Sequence, residues 1–235
     1  MTSTAPQTTA SQSGDVIYPD SDGQPMADNT KQFRWIVTLK ENLELLFADD
    51  PQVFVAGDLL WYPVEGNNKI RQAPDALVAF GRPKGDRGSY RQWQEGGITP
   101  QVVFEILSPG DRLAEMIRKF KFYERYGVEE YYVYDPDAVV LTGWLRGEGE
   151  LVAVEEMDGW TSPRLQIRFV MGASELEIYR PDGRKFLTTL ELDQRAEQAR
   201  QEAAQERQRA EQAEDRAKEA EALLAQYRDR FGDLE

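Results

Sequence analysis

Hydrophobic positions recur with two different periods along the chain, and the periods separate predicted helices from predicted strands. Apolar residues at helical spacing between residues 36 and 46 predict a helix that Asp28 or Thr30 caps. A second helical pattern covers residues 111–126 and stops at Gly127. Short apolar runs predict strands at residues 53–62, 75–80, 101–107, 131–135, 139–145, 151–157, 165–169 and 176–179. This order predicts an α/β fold with a mixed sheet flanked by helices.

A different pattern begins near residue 187, where Gly and Pro are absent until Gly232 and most residues favour helix. Alternating steps of four and three from Leu192 to Phe231 meet twelve positions, of which eleven are apolar and most are Ala. A seam of this length predicts a coiled coil, and hence self-association through residues 192–231. The alternative is a single solvated helix held by Glu and Arg pairs.

Composition divides the 235 residues into three parts. Residues 1–30 carry four acids, no base and no periodicity, which predicts a flexible N-terminal arm. Residues 31–186 contain all five Trp and form the predicted folded domain. Residues 187–235 form the predicted Ala-rich coiled coil.

Two residue types are absent, and their absence narrows the possible chemistry. Without Cys the chain has no disulfide, thiolate metal site or cysteine nucleophile, and without His it has no Ser-His-Asp triad. The net charge of −14 opposes binding to nucleic acid or anionic membranes. No apolar run approaches the roughly 18 residues of a membrane span, and the first residues lack a secretory pattern, so we expect a cytoplasmic protein.

Two acids interrupt apolar strands and are the main candidates for chemistry. Asp75 follows Pro74 at the start of a strand, and Glu105 lies inside a strand whose other members are apolar. A buried carboxylate needs a partner, which is either a Lys or Arg or a hard cation such as Mg²⁺ or Mn²⁺. Spacing leaves both partners open. Asp58 is a weaker candidate, for which a turn or surface role is the simpler interpretation.

The segment from Gly81 to Arg125 is locally basic, with nine bases and six acids, although the chain as a whole is acidic. Bases interleaved with Tyr90 and Trp93 predict contacts with a phosphate backbone, whereas the alternative is an ordinary solvated loop and helix face. The candidate nucleic-acid-binding residues are Arg82, Lys84, Arg87, Arg91 and Lys121.

Taken in order, these motifs resemble one family. Asp75 after Pro74, the sequence VVFEILSPG, and a helix carrying Lys119 and Tyr123 that leads into EEYYVYDP are similar to the Uma-type putative restriction endonuclease family. That family is a branch of the PD-(D/E)XK nuclease superfamily, and the resemblance covers roughly residues 29–179.

The resemblance implies a restriction-endonuclease-like core that hydrolyses DNA phosphodiester bonds with Mg²⁺ or Mn²⁺. It implies that Asp75 and Glu105 are the metal ligands and catalytic carboxylates. The superfamily lysine usually lies two residues after the acid, where this chain has Leu107, so the resemblance selects Lys119 on the following helix as catalytic, with Lys121 in reserve. Glu41 or Glu44 on the first helix is a further candidate ligand, as a helix acid is in some superfamily members, although surface exposure is the simpler interpretation for both. The alternative function is a non-catalytic nucleic-acid- or partner-binding scaffold that oligomerises through its coiled coil.

Overall fold

A computed structural model describes residues 16–21, 23 and 26–232 of the chain. The chain divides into two compact units, Met1–Phe186 and Leu187–Glu235. In the first unit the helices are α1 (Thr30–Leu46) and α2 (Leu113–Arg125). Its strands are β1 (Val53–Ala56), β2 (Trp61–Tyr62), β3 (Ala76–Phe80), β4 (Tyr90–Arg91), β5 (Val102–Ile106), β6 (Glu130–Asp135), β7 (Val140–Arg146), β8 (Leu151–Ala153), β9 (Arg168–Met171) and β10 (Leu176–Tyr179).

The centre of the first unit is a six-stranded sheet in the order β1-β3-β5-β6-β7-β8. Strands β5 and β6 pair in parallel, and each other neighbouring pair in this sheet is antiparallel. Helix α2 makes the crossover that a parallel pair requires. The predicted mixed sheet with flanking helices is therefore confirmed.

Both faces of the central sheet are covered, which explains why β5 reads as a continuous apolar run broken by one acid. Val102, Phe104 and Ile106 point to a core cluster that contains the apolar stripe of α1 and the β9–β10 hairpin. Val103 points to the opposite cluster, which contains Tyr123 of α2. Because side chains alternate along a strand, Glu105 faces the α2 side.

Several local features differ from the sequence predictions. The N-cap of α1 is Asn29, whose side chain accepts a hydrogen bond from the backbone N–H of Gln32, rather than Asp28 or Thr30. Strands β9 and β10 pair with each other and form a separate hairpin instead of extending the central sheet. Residues 81–97, where the sequence pattern predicts no strand, contain β4, which pairs in parallel with β2.

Residues 16–21 pack against the rest of the first unit, although composition predicts a flexible arm over residues 1–30. The ring of Tyr18 packs against Tyr62 and Trp93, with ring centroids 5.2 and 4.9 Å apart. The hydroxyl of Tyr62 donates to the carbonyl of Pro19 at 2.7 Å. An aromatic residue in a polar segment thus supplies the contact, while residues 1–15 of the predicted arm lie outside the described residues.

The second unit is one helix of 43 residues, α3 (Thr189–Phe231). A capping box begins it, because Thr188 accepts from the Glu191 backbone N–H while the Glu191 carboxylate accepts from that of Thr188. Near its end, Leu223, Leu224 and Tyr227 are 60%, 52% and 62% exposed. None of the helices among the described residues has the length and apolar content to cross a membrane.

Candidate active site

Glu105 is a buried acid of the central sheet. Its side chain lies on β5 and is 2% exposed. One carboxylate oxygen accepts a hydrogen bond from the ammonium of Lys119 at 2.8 Å, and the other accepts from the Tyr123 hydroxyl at 2.5 Å. Both donors are on α2, so the crossover helix satisfies the acid that interrupts the strand.

Asp75 lies immediately before β3, the antiparallel neighbour of β5. The register pairs Ala76 with Phe104, so Asp75 enters the sheet beside Glu105. Its carboxylate accepts a hydrogen bond from the backbone N–H of Ile106 at 2.6 Å, and its side chain is buried. The structure therefore brings the two predicted carboxylates together at one place on the sheet.

Burial controls the protonation of both acids. Desolvation raises the pKa of Asp75 well above its usual value, and the charge of Glu105 raises it further. The hydrogen bond from Ile106 opposes this shift but does not cancel it. Desolvation also raises the pKa of Glu105, while the charge and hydrogen bond of Lys119 oppose the rise. Two carboxylates thus share a site in which negative charge is incompletely balanced.

The Lys119 side chain is 14% exposed and supplies the positive charge nearest to Glu105. Desolvation lowers its pKa, but the charge of Glu105 outweighs that effect and the pKa lies above the usual lysine value. Lys119 is therefore a charged hydrogen-bond donor at neutral pH rather than a general base. Asp75 adds to the same shift, which indicates that one ammonium interacts with both carboxylates.

Tyr123 is the neighbour of the acids that sequence reasoning named only as part of a motif. The residue is fully buried, and its ring stacks on Trp61 with centroids 6.3 Å apart and planes 5° apart. Burial raises the pKa of its hydroxyl well above the usual value, so the group stays protonated and donates to Glu105. The four-residue spacing from Lys119 is the sequence signal, because residues four apart share a helix face.

The donor set fits a hard divalent cation. Carboxylate oxygens are the ligands that Mg²⁺ prefers, and Mg²⁺ is usually held by one or two carboxylates while retaining several waters. Asp75 and Glu105 form such a pair, and a cation would offset the repulsion that raises the pKa of Asp75. Within the described ranges, no group of three or more acids suited to metal binding occurs. Two protein carboxylates are therefore the ligand set that this site offers.

The remaining candidate ligands have other contacts. Glu41 and Glu44 both accept hydrogen bonds from Lys40, at 3.1 and 2.8 Å, on α1. Asp58 lies in a turn with φ +48°, and its backbone N–H donates to the carbonyl of Pro74. Its charge contributes to the raised pKa of Asp75, so Asp58 lies near the pair.

Four of the five predicted nucleic-acid-binding residues have partners within the protein. Arg82 and Arg87 both donate to the buried Glu95, at 2.8 and 2.7 Å. Lys84 donates to a backbone carbonyl of Phe47 near the end of α1. Arg91 donates to the carbonyl of Tyr18 and lies 3.8 Å from Asp20. Lys121 is the exception, since it is exposed on the outer side of α2.

A family model and a solved structure are each similar to part of this chain. Residues 22–174 match the model of the Uma2 family, whose description is putative restriction endonuclease. Among solved structures, the chain is similar to a putative nuclease belonging to DUF820 from Anabaena variabilis ATCC 29413. That similarity has 14% identity and a TM-score of 0.43, and it covers 57% of this chain and 72% of the other. A search of curated proteins found no match. Because the matched range includes both acids, Lys119 and most of the first unit, the chain belongs to the Uma2 family of restriction-endonuclease-type proteins.

Proposed function

We propose that this chain is a Mg²⁺- or Mn²⁺-dependent endonuclease that hydrolyses DNA phosphodiester bonds, with Asp75, Glu105 and Lys119 as its catalytic residues. The observation that carries the proposal is the buried pair of carboxylates on neighbouring strands with one ammonium beside them. Burying two acids side by side is costly, and a structural role alone would be met by one acid and one base. Family membership supports nuclease chemistry in general.

Each side chain has a role that follows from its contacts. Asp75 is held by the Ile106 N–H and Glu105 by Tyr123, so both carboxylates are fixed before any ligand arrives. Lys119 is held in its charged form and donates hydrogen bonds, so it orients an attacking water or stabilises charge on the phosphate oxygens. When bound at the pair, Mg²⁺ or Mn²⁺ supplies the positive charge that offsets the charge of the phosphorus transition state.

Tyr123 has a positioning role in this proposal. Its hydroxyl occupies one oxygen of Glu105 and leaves the other to the ammonium, which fixes the carboxylate plane. Stacking on Trp61 in turn holds the Tyr123 ring. We expect Tyr123→Phe to weaken metal binding through loss of this alignment while retaining the ligand atoms.

A second candidate function is a non-catalytic scaffold of the same fold. The observation in its favour is that both oxygens of Glu105 already have donors on α2, so the acid is satisfied without a metal. In that case Lys119 would be the structural partner of Glu105, and the central contact would be an internal ion pair.

The test separates the two functions by metal binding and cleavage together. Mn²⁺ and Mg²⁺ are titrated calorimetrically into wild type, Asp75→Asn and Glu105→Gln, and the same samples are assayed for nicking of supercoiled plasmid. The matched control is Glu156→Gln, which removes an exposed acid of the first unit. A nuclease loses binding and nicking in both site variants and keeps them in the control. Binding or nicking that persists in both site variants would contradict the assignment of the carboxylates.

We further propose that α3 associates with a second copy of itself in the cytoplasm. The supporting observation is the exposed apolar end of the helix, where Leu223, Leu224 and Tyr227 are each more than half exposed. A self-paired helix would cover these side chains, and the Ala-rich positions before them would permit close approach.

A further inference from the structure

A basic cleft separates the outer face of α2 from the loop that follows β2. The cleft has a volume of about 800 Å³. The loop side contributes Lys69 and Arg71, and α2 contributes Arg118, Lys121 and Arg125. One acid, Glu115, also lines it, so the cleft has a formal charge of +4 in a chain of −14.

We infer that this cleft binds the phosphate backbone of the DNA that the proposed active site cleaves, and the inference rests on the proposed nuclease function. Phosphate contacts by Lys and Arg supply most of the sequence-independent affinity for DNA. The chain as a whole is acidic, so the local concentration of positive charge, rather than the net charge, sets the electrostatic field in the cleft.

Helical geometry divides α2 into two faces with different tasks. At about 100° per residue, Arg118, Lys121 and Arg125 fall within about 60° of one another. Lys119 and Tyr123 fall within about 40° of each other and are turned toward the sheet, where they bind Glu105. The same helix therefore carries the proposed catalytic lysine on its sheet-facing side and the basic stripe on its outer side, since Arg118 and Lys121 lie about 100° and 160° from Lys119 around the helix axis.

The position of the cleft links it to the active site through the backbone. Ala73 lines the cleft and is two residues before Asp75, and Lys119 lies between Arg118 and Lys121 on the helix. A strand of DNA in the cleft would therefore lie along the outer side of α2, next to the segments that carry Asp75 and Lys119. The stripe from Arg118 to Arg125 covers about 10 Å of helix, which matches about three nucleotides at 3.4 Å each.

The side chains of the cleft are available for a ligand. Lys69, Arg118, Lys121 and Arg125 are exposed, and among the described residues no ion pair involves Lys69, Lys121 or Arg125. Arg118 lies 3.5 Å from Glu115 in a solvent-exposed pair, which contributes little energy and yields readily to phosphate. By contrast, Arg82 and Arg87 both donate to Glu95.

The experiment measures how DNA binding depends on salt, without metal, so that cleavage does not enter the result. A fluorescein-labelled duplex of mixed sequence is titrated in EDTA with full-length wild type and with the triple variant Arg118→Ala, Lys121→Ala, Arg125→Ala. Ala keeps the helix, because it is the strongest helix former. The control is Arg207→Ala, Arg209→Ala, Lys218→Ala, which likewise removes two Arg and one Lys, here from exposed positions of α3.

Loss of three phosphate contacts reduces the slope of log K against log salt by about 2.7. Between about 50 and 200 mM salt, wild-type affinity then falls about 40-fold further than that of the cleft variant, and the α3 control follows wild type. The inference is overturned if the cleft variant keeps the wild-type slope, if both triple variants change it equally, or if wild type does not bind the duplex.

These outcomes are independent of the nuclease assignment. Cleavage by wild type with an unchanged slope in the cleft variant would refute the cleft and leave the active site in place. Salt-dependent binding that needs the cleft, in a protein that never nicks plasmid with Mn²⁺, would support the cleft and refute the nuclease.

Discussion

The ion pair between Glu105 and Lys119 permits a quantitative test of how the site is held together. Replacing Lys119 with Met keeps the apolar stem but leaves a carboxylate that is 2% exposed without its cationic partner. Breaking a buried pair in this way costs about 3–5 kcal/mol of the free energy of unfolding. The Tyr123 hydroxyl still donates to Glu105, so we expect the lower part of that range.

The cost should depend on pH in a definite direction. Burial already raises the pKa of Glu105, and removal of Lys119 removes the main opposing effect, so the pKa rises further. An acid with a raised pKa binds more protons in the folded state, so stability is greatest below its unfolded pKa and falls as pH rises toward the folded pKa. The destabilisation by Lys119→Met is therefore smaller at about pH 5 than at about pH 8.

A second substitution isolates the pair. Glu105→Gln in the Lys119→Met background removes the buried charge, so the double variant should recover to within about 1 kcal/mol of wild type while remaining inactive. Urea unfolding followed by Trp fluorescence reports on the first unit, because all five Trp lie in residues 31–186. The control is Lys121→Met on the same helix, expected within about 0.5 kcal/mol of wild type. A Lys119→Met cost below about 1 kcal/mol at the higher pH, or no recovery in the double variant, would refute the reasoning.

Two further predictions concern the loop and the long helix. Glu95→Ala should lower the free energy of unfolding by about 2–3 kcal/mol, because Arg82 and Arg87 lose their shared acceptor. Burial opposes ionisation of Glu95, but the hydrogen bonds and charges of Arg87 and Arg82 outweigh burial and lower its pKa. The stabilisation by Glu95 is therefore present above the ordinary pKa of Glu and is lost as pH falls through the lowered pKa of the folded state. Urea unfolding checks this, and an unchanged midpoint would argue against the contacts. A chain ending at Leu187 should have a monomeric mass by light scattering while the full chain has a multiple of it, and equal monomeric masses would contradict self-association.

The elements that could be predicted from the sequence are those in which periodicity and burial agree. The run from Val102 to Ile106 is apolar at every position but Glu105, because both sheet faces are covered, and that made the acid conspicuous. Helical spacing likewise put Lys119 and Tyr123 on one face, and the structure places both on Glu105. Local pattern sufficed here because each contact follows from a regular period.

What the sequence could not supply depends on contacts between distant segments. Charge density between Gly81 and Arg125 predicted contacts with a phosphate backbone. The pairing of Arg82 and Arg87 with one buried acid, Glu95, is visible only in three dimensions. The sequence pattern did not single out Lys69, because it lies far along the chain from the bases of α2 that line the same cleft. Strands β9 and β10 pair with each other rather than with an edge strand of the central sheet. Strand propensity does not determine which strands pair, because pairing depends on tertiary contacts.

The packing around α1 has a practical consequence for trimming the protein. The family match covers residues 22–174 and so ends before β10 begins. Leu176, Ile178 and Phe186 nevertheless belong to the same core cluster as the stripe of α1. Tyr18, which precedes the matched range, packs against Tyr62 and Trp93. A protein cut to the family limits would expose an apolar sheet face of the kind that drives aggregation. We expect residues 16–186 to be the minimal unit that stays soluble on its own.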